Sequence, residues 1–266
     1  MYRSVSAVWK IPPEIVRSQF EADIKPLIVS MRKSAPVRFF FRADDIGISG
    51  KKFLRLMEIF HRFQTPLSLA VVPAWMTVER WEIFQSLDRL SPELWCWHQH
   101  GWRHLNHEVQ GKKQEFGQTR SEEQLERDIL SGRDKLKRIL HDRFTPVFTP
   151  PWNRCDVRAL AILKEHGYLG VSRHCRSLPL APDGLPDFPV IIDLHTRRET
   201  TPEAGWKALR EEFSASAAAV SGICGVMIHH QRMNAAAFLF LELLLGMLQD
   251  TAAVQCLHLG DLVYHA

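Results

Sequence analysis

The chain has 266 residues, of which 24% are charged, and its net charge is only +4. A chain of this length buries a core without disulfides or structural metal ions. The small net charge argues against a nucleic-acid-coating protein, so no nucleic acid partner is expected. The five cysteines, an odd number without a Cys-x-x-Cys pair, argue against a disulfide scaffold and are expected to be reduced thiols.

Two segments bear on membrane insertion and export. The N-terminus reaches Pro12 and Pro13 without the apolar run of a signal peptide. The most apolar segment, residues 235–248, is shorter than a membrane span and contains Glu242, which favours a buried helix. We therefore expect a cytoplasmic protein without a membrane span.

Short apolar segments rich in β-branched and aromatic residues recur along the chain, each followed by a segment with helical periodicity. This alternation is typical of β/α units around a parallel sheet or barrel. The predicted strands lie at residues 37–42, 67–72, 94–98, 146–149, 169–172, 189–192, 225–229 and 254–258. We predict a helical N-terminal extension, residues 1–35, packed on one α/β domain, residues 36–266.

Four polar clusters fall at the predicted C-terminal ends of strands, the edge where barrels of parallel strands gather catalytic groups. The clusters are Arg42-Ala43-Asp44-Asp45-Ile46-Gly47, His98-Gln99-His100-Gly101-Trp102-Arg103-His104, Pro150-Pro151-Trp152-Asn153-Arg154 and Met227-Ile228-His229-His230. Their coincidence is more informative than any one cluster and predicts an active site.

The first two clusters predict a metal-activated water. His100 and His104 are four residues apart, so on a helical turn they would share a face and could bind one ion. Adjacent carboxylates point in different directions, so one of Asp44 and Asp45 could complete the site while the other accepts a proton. Two imidazoles and a carboxylate leave an open position, where a water bound to zinc reaches a pKa of about 7. Taken alone, each cluster also fits a structural role.

The remaining polar residues have both functional and structural interpretations. The Trp152 N–H is the first donor after two prolines and could face an oxyanion, although the prolines could simply end the strand. Strand alternation points one of His229 and His230 into the barrel mouth and leaves the other structural. His98 would share a face with His100 and could contact the ligands indirectly.

In this order, the clusters resemble the motifs of the polysaccharide deacetylase family, also called the NodB-homology domain, over residues 37–230. The resemblance implies that Asp44 is the general base and that Asp45, His100 and His104 bind the metal. It further implies that His229 is the catalytic acid. Pro151 and Trp152 would line the substrate groove.

The resemblance also implies a fold and a reaction. The fold is a distorted (β/α) barrel of about seven strands. The reaction is removal of an N-acetyl, or other N-acyl, group from an amino sugar or glycan by water bound to one divalent ion. Zinc is the first choice of metal, and cobalt, nickel and manganese accept the same ligands. The Trp152 N–H would stabilise the oxyanion, and His229 would protonate the leaving amine.

Two positions depart from the family pattern. The arginine that usually precedes the two prolines is Thr149 here, so Arg154 or Arg42 would have to hold the base. The aspartate that pairs with the catalytic histidine has no clear copy, and Asp193 is the candidate. His98 and His230 complete the predicted outer contacts.

Two other functions fit the sequence. The first is a catalytically silent carbohydrate-binding barrel, which is consistent with both departures. The second is a metal-dependent amidohydrolase that acts on a small intracellular amide other than a glycan. The sequence leaves the oligomeric state open.

Overall fold

The structure is a computed structural model, and it describes residues 4–31, 37–217, 222–251 and 254–264. Within these ranges the α-helices are α1 (Pro13–Gln19), α2 (Lys25–Met31), α3 (Lys51–Arg62), α4 (Val78–Asp88), α5 (Glu122–Leu140), α6 (Val157–Glu165), α7 (Pro202–Ala217), α8 (Ala235–Gln249) and α9 (Leu259–Tyr264). The strands are β1 (Val37–Ile46), β2 (Leu67–Val71), β3 (Trp95–His100), β4 (Phe144–Thr149), β5 (Gly170–Val171), β6 (Val190–Asp193), β7 (Ile223–Ile228) and β8 (Val254–Leu257). Every predicted strand is confirmed, with ends that shift by a few residues.

The strands form one sheet in the order β5-β4-β3-β2-β1-β7-β6, and β8 also pairs with β1. The pairings of β1 with β7 and β8 are parallel, and so are those of β4 with β3 and β5. Parallel neighbours require crossover connections, which the intervening helices supply. This topology confirms the predicted distorted (β/α) barrel, with seven strands on one path.

The chain divides into two compact units. Unit 1 comprises Met1–Ala43, Gly50–Leu67 and Ile191–Leu257, and unit 2 comprises Asp44–Ser49, Ser68–Val190 and His258–Ala266.

The core of unit 1 contains an aromatic cluster around Phe240 of α8. The rings of Trp9, Phe20, Trp206 and Phe213 lie with their centroids 5.0–6.2 Å from the Phe240 ring. Tilted and edge-on aromatic pairs at this spacing stabilise a core beyond the area that they bury. The prediction that residues 235–248 form a buried helix is therefore confirmed, and no described helix is long and apolar enough to cross a membrane.

The N-terminal segment is helical from Pro13 to Met31, through α1, a π-helical turn (Phe20–Ile24) and α2. Its buried side chains include Val16, Phe20 and Ile28. The boundary that we predict between residues 35 and 36 lies outside the described residues. The assignment of an extension separate from the domain therefore remains a prediction.

The core of unit 2 is the apolar face of α5 and α6 packed with β4 and β5. A capping box starts α5, where Ser121 accepts the Gln124 N–H and Gln124 reaches back to the Ser121 N–H. Asp156 caps α6 by accepting the Ala159 N–H. None of the five cysteines, which all lie in the described residues, forms a disulfide.

Candidate metal centre

The two predicted aspartates end a strand. The predicted strand at 37–42 is too short, because β1 continues to Ile46, whose carbonyl accepts the Val72 N–H at 2.8 Å. Asp44 and Asp45 are therefore the two residues before the last residue of β1, and both are buried, at 3% and 2% exposed. Asp45 has a φ of 63°, a left-handed conformation that is strained for a residue with a side chain.

His100 and His104 converge without a helix, so the expected helical turn is wrong. His100 is the last residue of β3, and His104 lies in the loop that follows. Gly101 and His104 each have a φ of 59°, and the turn they make brings the two ring centroids within 5.2 Å. The left-handed backbone of Gly101 and His104 thus brings the two rings together in a loop, where a helical turn was expected to do so.

Asp45, His100 and His104 meet in one cluster. The Asp45 Oδ1 lies 3.1 Å from the His104 Nε2 and 3.5 Å from the His100 Nε2. One candidate ligand atom from each residue lies within 4.8 Å of the others, close enough to bind one ion. The described residues contain no other such group of three histidines, cysteines or carboxylates.

A backbone carbonyl sets the tautomer of His100. The parallel register of β3 and β4 pairs His100 with Thr149, and the His100 Nδ1 lies 2.9 Å from the Thr149 carbonyl oxygen. A carbonyl can only accept, so Nδ1 carries a proton, and when the ring is neutral its lone pair lies on Nε2, the atom 3.5 Å from the Asp45 Oδ1. This is the arrangement by which outer contacts orient a metal-binding histidine.

Two tryptophans flank His104. The ring of Trp152 lies 4.5 Å from the His104 ring and that of Trp75 lies 5.8 Å from it, centroid to centroid. Both indoles are only partly buried. Trp75 reaches this position because Gly47 has no side chain, since a Cβ there would lie 2.7 Å from the Trp75 Cβ. Trp75 had no signal in the sequence.

The loop after β4 presents the predicted groove residues. Pro151 is buried, and Trp152 adopts a left-handed φ of 56°. The Asn153 N–H donates to the Pro150 carbonyl at 2.9 Å, whereas the Trp152 N–H makes no hydrogen bond to any residue that the structure describes. The role of the Trp152 N–H toward an oxyanion stays a prediction.

The side chains of Thr149 and Arg154 contact different residues. The Thr149 hydroxyl lies 3.0 Å from the Nε2 of the buried His98, so His98 contacts the strand that orients His100. The Arg154 guanidinium donates to the Lys113 carbonyl at 3.2 Å. The threonine thus contacts one predicted residue with its side chain and another with its carbonyl.

Two buried residues that the sequence did not indicate bind the loop between His100 and His104. Glu115 accepts backbone N–H groups of this loop, and Gln99 donates to one of its carbonyls. Burial raises the pKa of the Glu115 carboxyl, and the N–H groups of Arg103 and Trp102 oppose that rise. Glu115 lies in a loop without helical or strand periodicity, so no pattern marks it.

The other predicted residues lie in unit 1. His229 follows β7, and its N–H donates to the Nδ1 of the buried His195 at 3.2 Å. The His230 ring packs edge-on against Phe53 at 5.6 Å between centroids. The Asp193 carboxylate accepts the N–H groups of His195 and Thr196, on its own following turn, and its described partners do not include His229.

His195 was not predicted, and its ring is neutral. Burial lowers its pKa well below the usual value, and positive charge on His229 and Arg232 lowers it further. Because Nδ1 accepts an N–H, the proton of the neutral ring lies on Nε2, which makes no hydrogen bond to the described residues. Its position after β6 was visible in the sequence, but nothing there showed that its ring would bind His229.

Comparison with known proteins identifies the fold. No family model matches the sequence, and no curated protein matches it. A structure assigned as a polysaccharide deacetylase from Mycobacterium smegmatis is 18% identical with a TM-score of 0.61, covering 80% of this chain and 76% of that one. A family 4 acetyl xylan esterase from Clostridium thermocellum, in complex with cobalt, is 11% identical with a TM-score of 0.56, covering 86% and 91%.

A third similar structure is a CE4 family pseudoenzyme from Bacillus anthracis. It is 10% identical with a TM-score of 0.54, covering 86% of this chain and 66% of that one. The three likenesses show that the chain has the fold of CE4 polysaccharide deacetylases and esterases, as the motif resemblance predicted.

Proposed function

We propose that this protein is a metal-dependent hydrolase that removes an N-acetyl, or other N-acyl, group from an amino sugar or glycan. The observation that carries the proposal is the convergence of Asp45, His100 and His104, with the proton of His100 held on Nδ1 by a backbone carbonyl. Buried side chains arranged with ligand atoms toward one another fit a cation better than they fit a packing role.

The donor set fits one divalent ion. Two imidazole nitrogens and one carboxylate suit zinc first, and they also accept cobalt, nickel or manganese. When bound, such an ion lowers the pKa of a water ligand to about 7 and polarises a carbonyl. Asp45, His100 and His104 would hold it.

The remaining steps use groups of the protein. Asp44, adjacent to the ligand Asp45, is the proposed base that takes a proton from the attacking water. The Trp152 N–H donates to the oxygen that becomes negative as the amide carbonyl is attacked. His229 is the proposed acid that protonates the departing amine, a role that rests on the motif resemblance.

The proposed substrate class follows from the aromatic surroundings of the cluster. Trp75 and Trp152 flank His104 and keep part of their indole surfaces exposed, so an amphipathic sugar ring can pack on them.

The absence of disulfides among the cysteines is consistent with a cytoplasmic location. A cytoplasmic enzyme would act on short or precursor sugars.

One observation favours a catalytically silent sugar-binding barrel as the second candidate. The described partners of the Asp193 carboxylate lie on its own turn and do not include His229, an arrangement that a barrel without the family's aspartate–histidine pair would have. In this alternative the protein binds N-acetylated sugars and releases no acetate.

The first test is metal content by elemental analysis, followed by acetate release from N-acetylated amino sugars of increasing length. We expect near-stoichiometric metal in the wild type and acetate release once the site is loaded. His100→Ala and His104→Ala should lose the metal and the activity together.

His107→Ala is the matched control, because His107 lies three residues beyond His104 and outside the cluster. It should keep both properties. A wild type that takes up no divalent ion would overturn the proposal. Metal uptake and sugar binding without acetate would establish the silent barrel, and release only from small amides that lack a sugar would identify a different amidohydrolase.

A further inference from the structure

We infer that Glu115 is a positioning residue of the metal centre, which holds the loop between His100 and His104 in the conformation that lets both rings reach one ion. The inference rests on the proposed function, because it requires an ion at this site.

The loop lacks a helix to fix it, so its backbone groups need other partners. The Trp102 N–H donates to the Glu115 Oε2 at 3.1 Å, and the Arg103 N–H donates to the Glu115 Oε1 at 2.6 Å. One carboxylate therefore binds two of the three residues that separate the histidines. Charged acceptors make such hydrogen bonds shorter and stronger than neutral ones.

A side-chain amide and a backbone N–H also bind the loop. The Gln99 Nε2 donates to the Gly101 carbonyl at 2.9 Å and to the Ile129 carbonyl at 3.0 Å. The Ala74 N–H donates to the Trp102 carbonyl at 3.0 Å. Glu115 thus adds to a set of contacts that bind the backbone groups of Gly101, Trp102 and Arg103.

The Glu115 carboxylate is enclosed by protein. Glu115 is 0% exposed, and a Cβ added to Gly101 would lie 2.2 Å from its Oε2 and 2.6 Å from the Pro151 Cγ. Without the carboxylate, the N–H groups of Trp102 and Arg103 would lose their acceptor, which favours a shift of the loop. Only three residues join the histidines, so a shift at Trp102 and Arg103 moves His104 away from Asp45.

The test is a titration of the metal-free protein with Co²⁺, followed by the visible absorption of the bound ion. Glu115→Gln keeps the size of the side chain but puts a donor where an acceptor is needed. We expect its Kd for Co²⁺ to rise about 10- to 100-fold, the usual effect of losing an outer contact of a metal ligand. The intensity of the absorption bands should change as well, because the coordination geometry changes.

Glu212→Gln is the matched control. Glu212 is also a largely buried carboxylate, and it accepts the Asp193 N–H at 3.0 Å and the Arg197 guanidinium at 2.9 Å, within unit 1. This variant should lower the Tm of the metal-free protein and leave the Kd for Co²⁺ within twofold of wild type. A purely structural role for Glu115 would give the same result in both variants.

Glu115→Asp covers the case in which Glu115→Gln does not fold. It keeps the charge and withdraws it by one methylene, so its Kd should lie between those of the wild type and Glu115→Gln. Wild-type Kd values in the folded Glu115 variants would overturn the inference and leave the proposed function standing. A wild type that binds no Co²⁺ would overturn both.

Discussion

His100 and His195 are both buried histidines bound to a neighbouring backbone, and they have opposite tautomers. In unit 2 the His100 Nδ1 donates to a carbonyl, so its Nε2 is an acceptor that faces a carboxylate. In unit 1 the His195 Nδ1 accepts an N–H, so its Nε2 is a donor. A single backbone group therefore leaves Nε2 of one ring available to accept a proton or bind a cation, and makes Nε2 of the other ring a donor.

Which ring nitrogen carries the proton therefore depends on the backbone that lies opposite the histidine. His100 faces Thr149 because β3 and β4 pair in that register. His195 follows β6, and it contacts the residue after β7. The number of histidines in a sequence does not distinguish a ring whose Nδ1 donates from a ring whose Nδ1 accepts.

The largest expected effect is the loss of kcat in Asp44→Asn, which tests whether the chemistry takes place in unit 2. If unit 2 carries the chemistry, removing the base should lower kcat about 10²- to 10⁴-fold while the bound metal stays. Acetate release and elemental analysis on the same sample measure both quantities. The exposed Asp134→Asn should match the wild type, and an Asp44→Asn variant with wild-type kcat would remove the base from the mechanism.

A smaller effect, on the free energy of unfolding, is expected when a side chain is added to the loop between His100 and His104. Gly101→Ala adds a Cβ at a φ of 59° and within 2.2 Å of Glu115, so strain and overpacking combine. We expect a loss of roughly 2–5 kcal/mol in the free energy of unfolding, measured with urea.

Gly111→Ala separates the two contributions to that loss. Gly111 has a φ of 80° but no heavy atom within 4 Å of the added Cβ. Its substitution should cost only about 1–2 kcal/mol, the price of the left-handed backbone. Equal losses in the two variants would mean that the loop has room to relax.

The smallest effect tests the neutral ring of unit 1. The pKa of His195 is lowered by burial, so on acidification the unfolded chain binds this proton before the folded protein does. The free energy of unfolding should therefore fall as the pH drops below about 6.5, by up to about 1.4 kcal/mol per pH unit from this residue.

His195→Asn should remove that slope, because asparagine does not titrate and its oxygen can still accept the His229 N–H. Urea unfolding between pH 7.5 and 5.5 compares the two proteins. Identical slopes would show that His195 is not the ring that the fold keeps neutral.

The sequence predicted much of this architecture for a clear physical reason. Buried parallel strands are apolar along their whole length, so β2 and β7 stand out as short runs between polar segments. The cap of α5 was equally visible, because Ser121 and Gln124 stand at the required spacing. The spacing of His100 and His104 also indicated their place in the cluster, and the choice of Asp45 over Asp44 came from the motif resemblance.

The geometry that joins those residues was not predictable. Asp45 and His104 adopt left-handed backbone conformations that their side chains disfavour, and local propensity gives no sign of them. Glu115 reaches the loop from a segment without periodicity. Such positions depend on tertiary contacts that compensate local strain, and a pattern of residue types does not encode those contacts.

The hydrogen bond from His100 to the Thr149 carbonyl also bears on how this site tolerates mutation. Every amino acid supplies the same carbonyl, so the side chain at position 149 can change while the ligand keeps its tautomer, provided that β3 and β4 keep their register. The threonine found there is therefore no measure of whether the centre is intact. The constraint on position 149 is instead the contact of its hydroxyl with the buried His98, whereas at Gly101 any side chain meets Glu115 and Pro151.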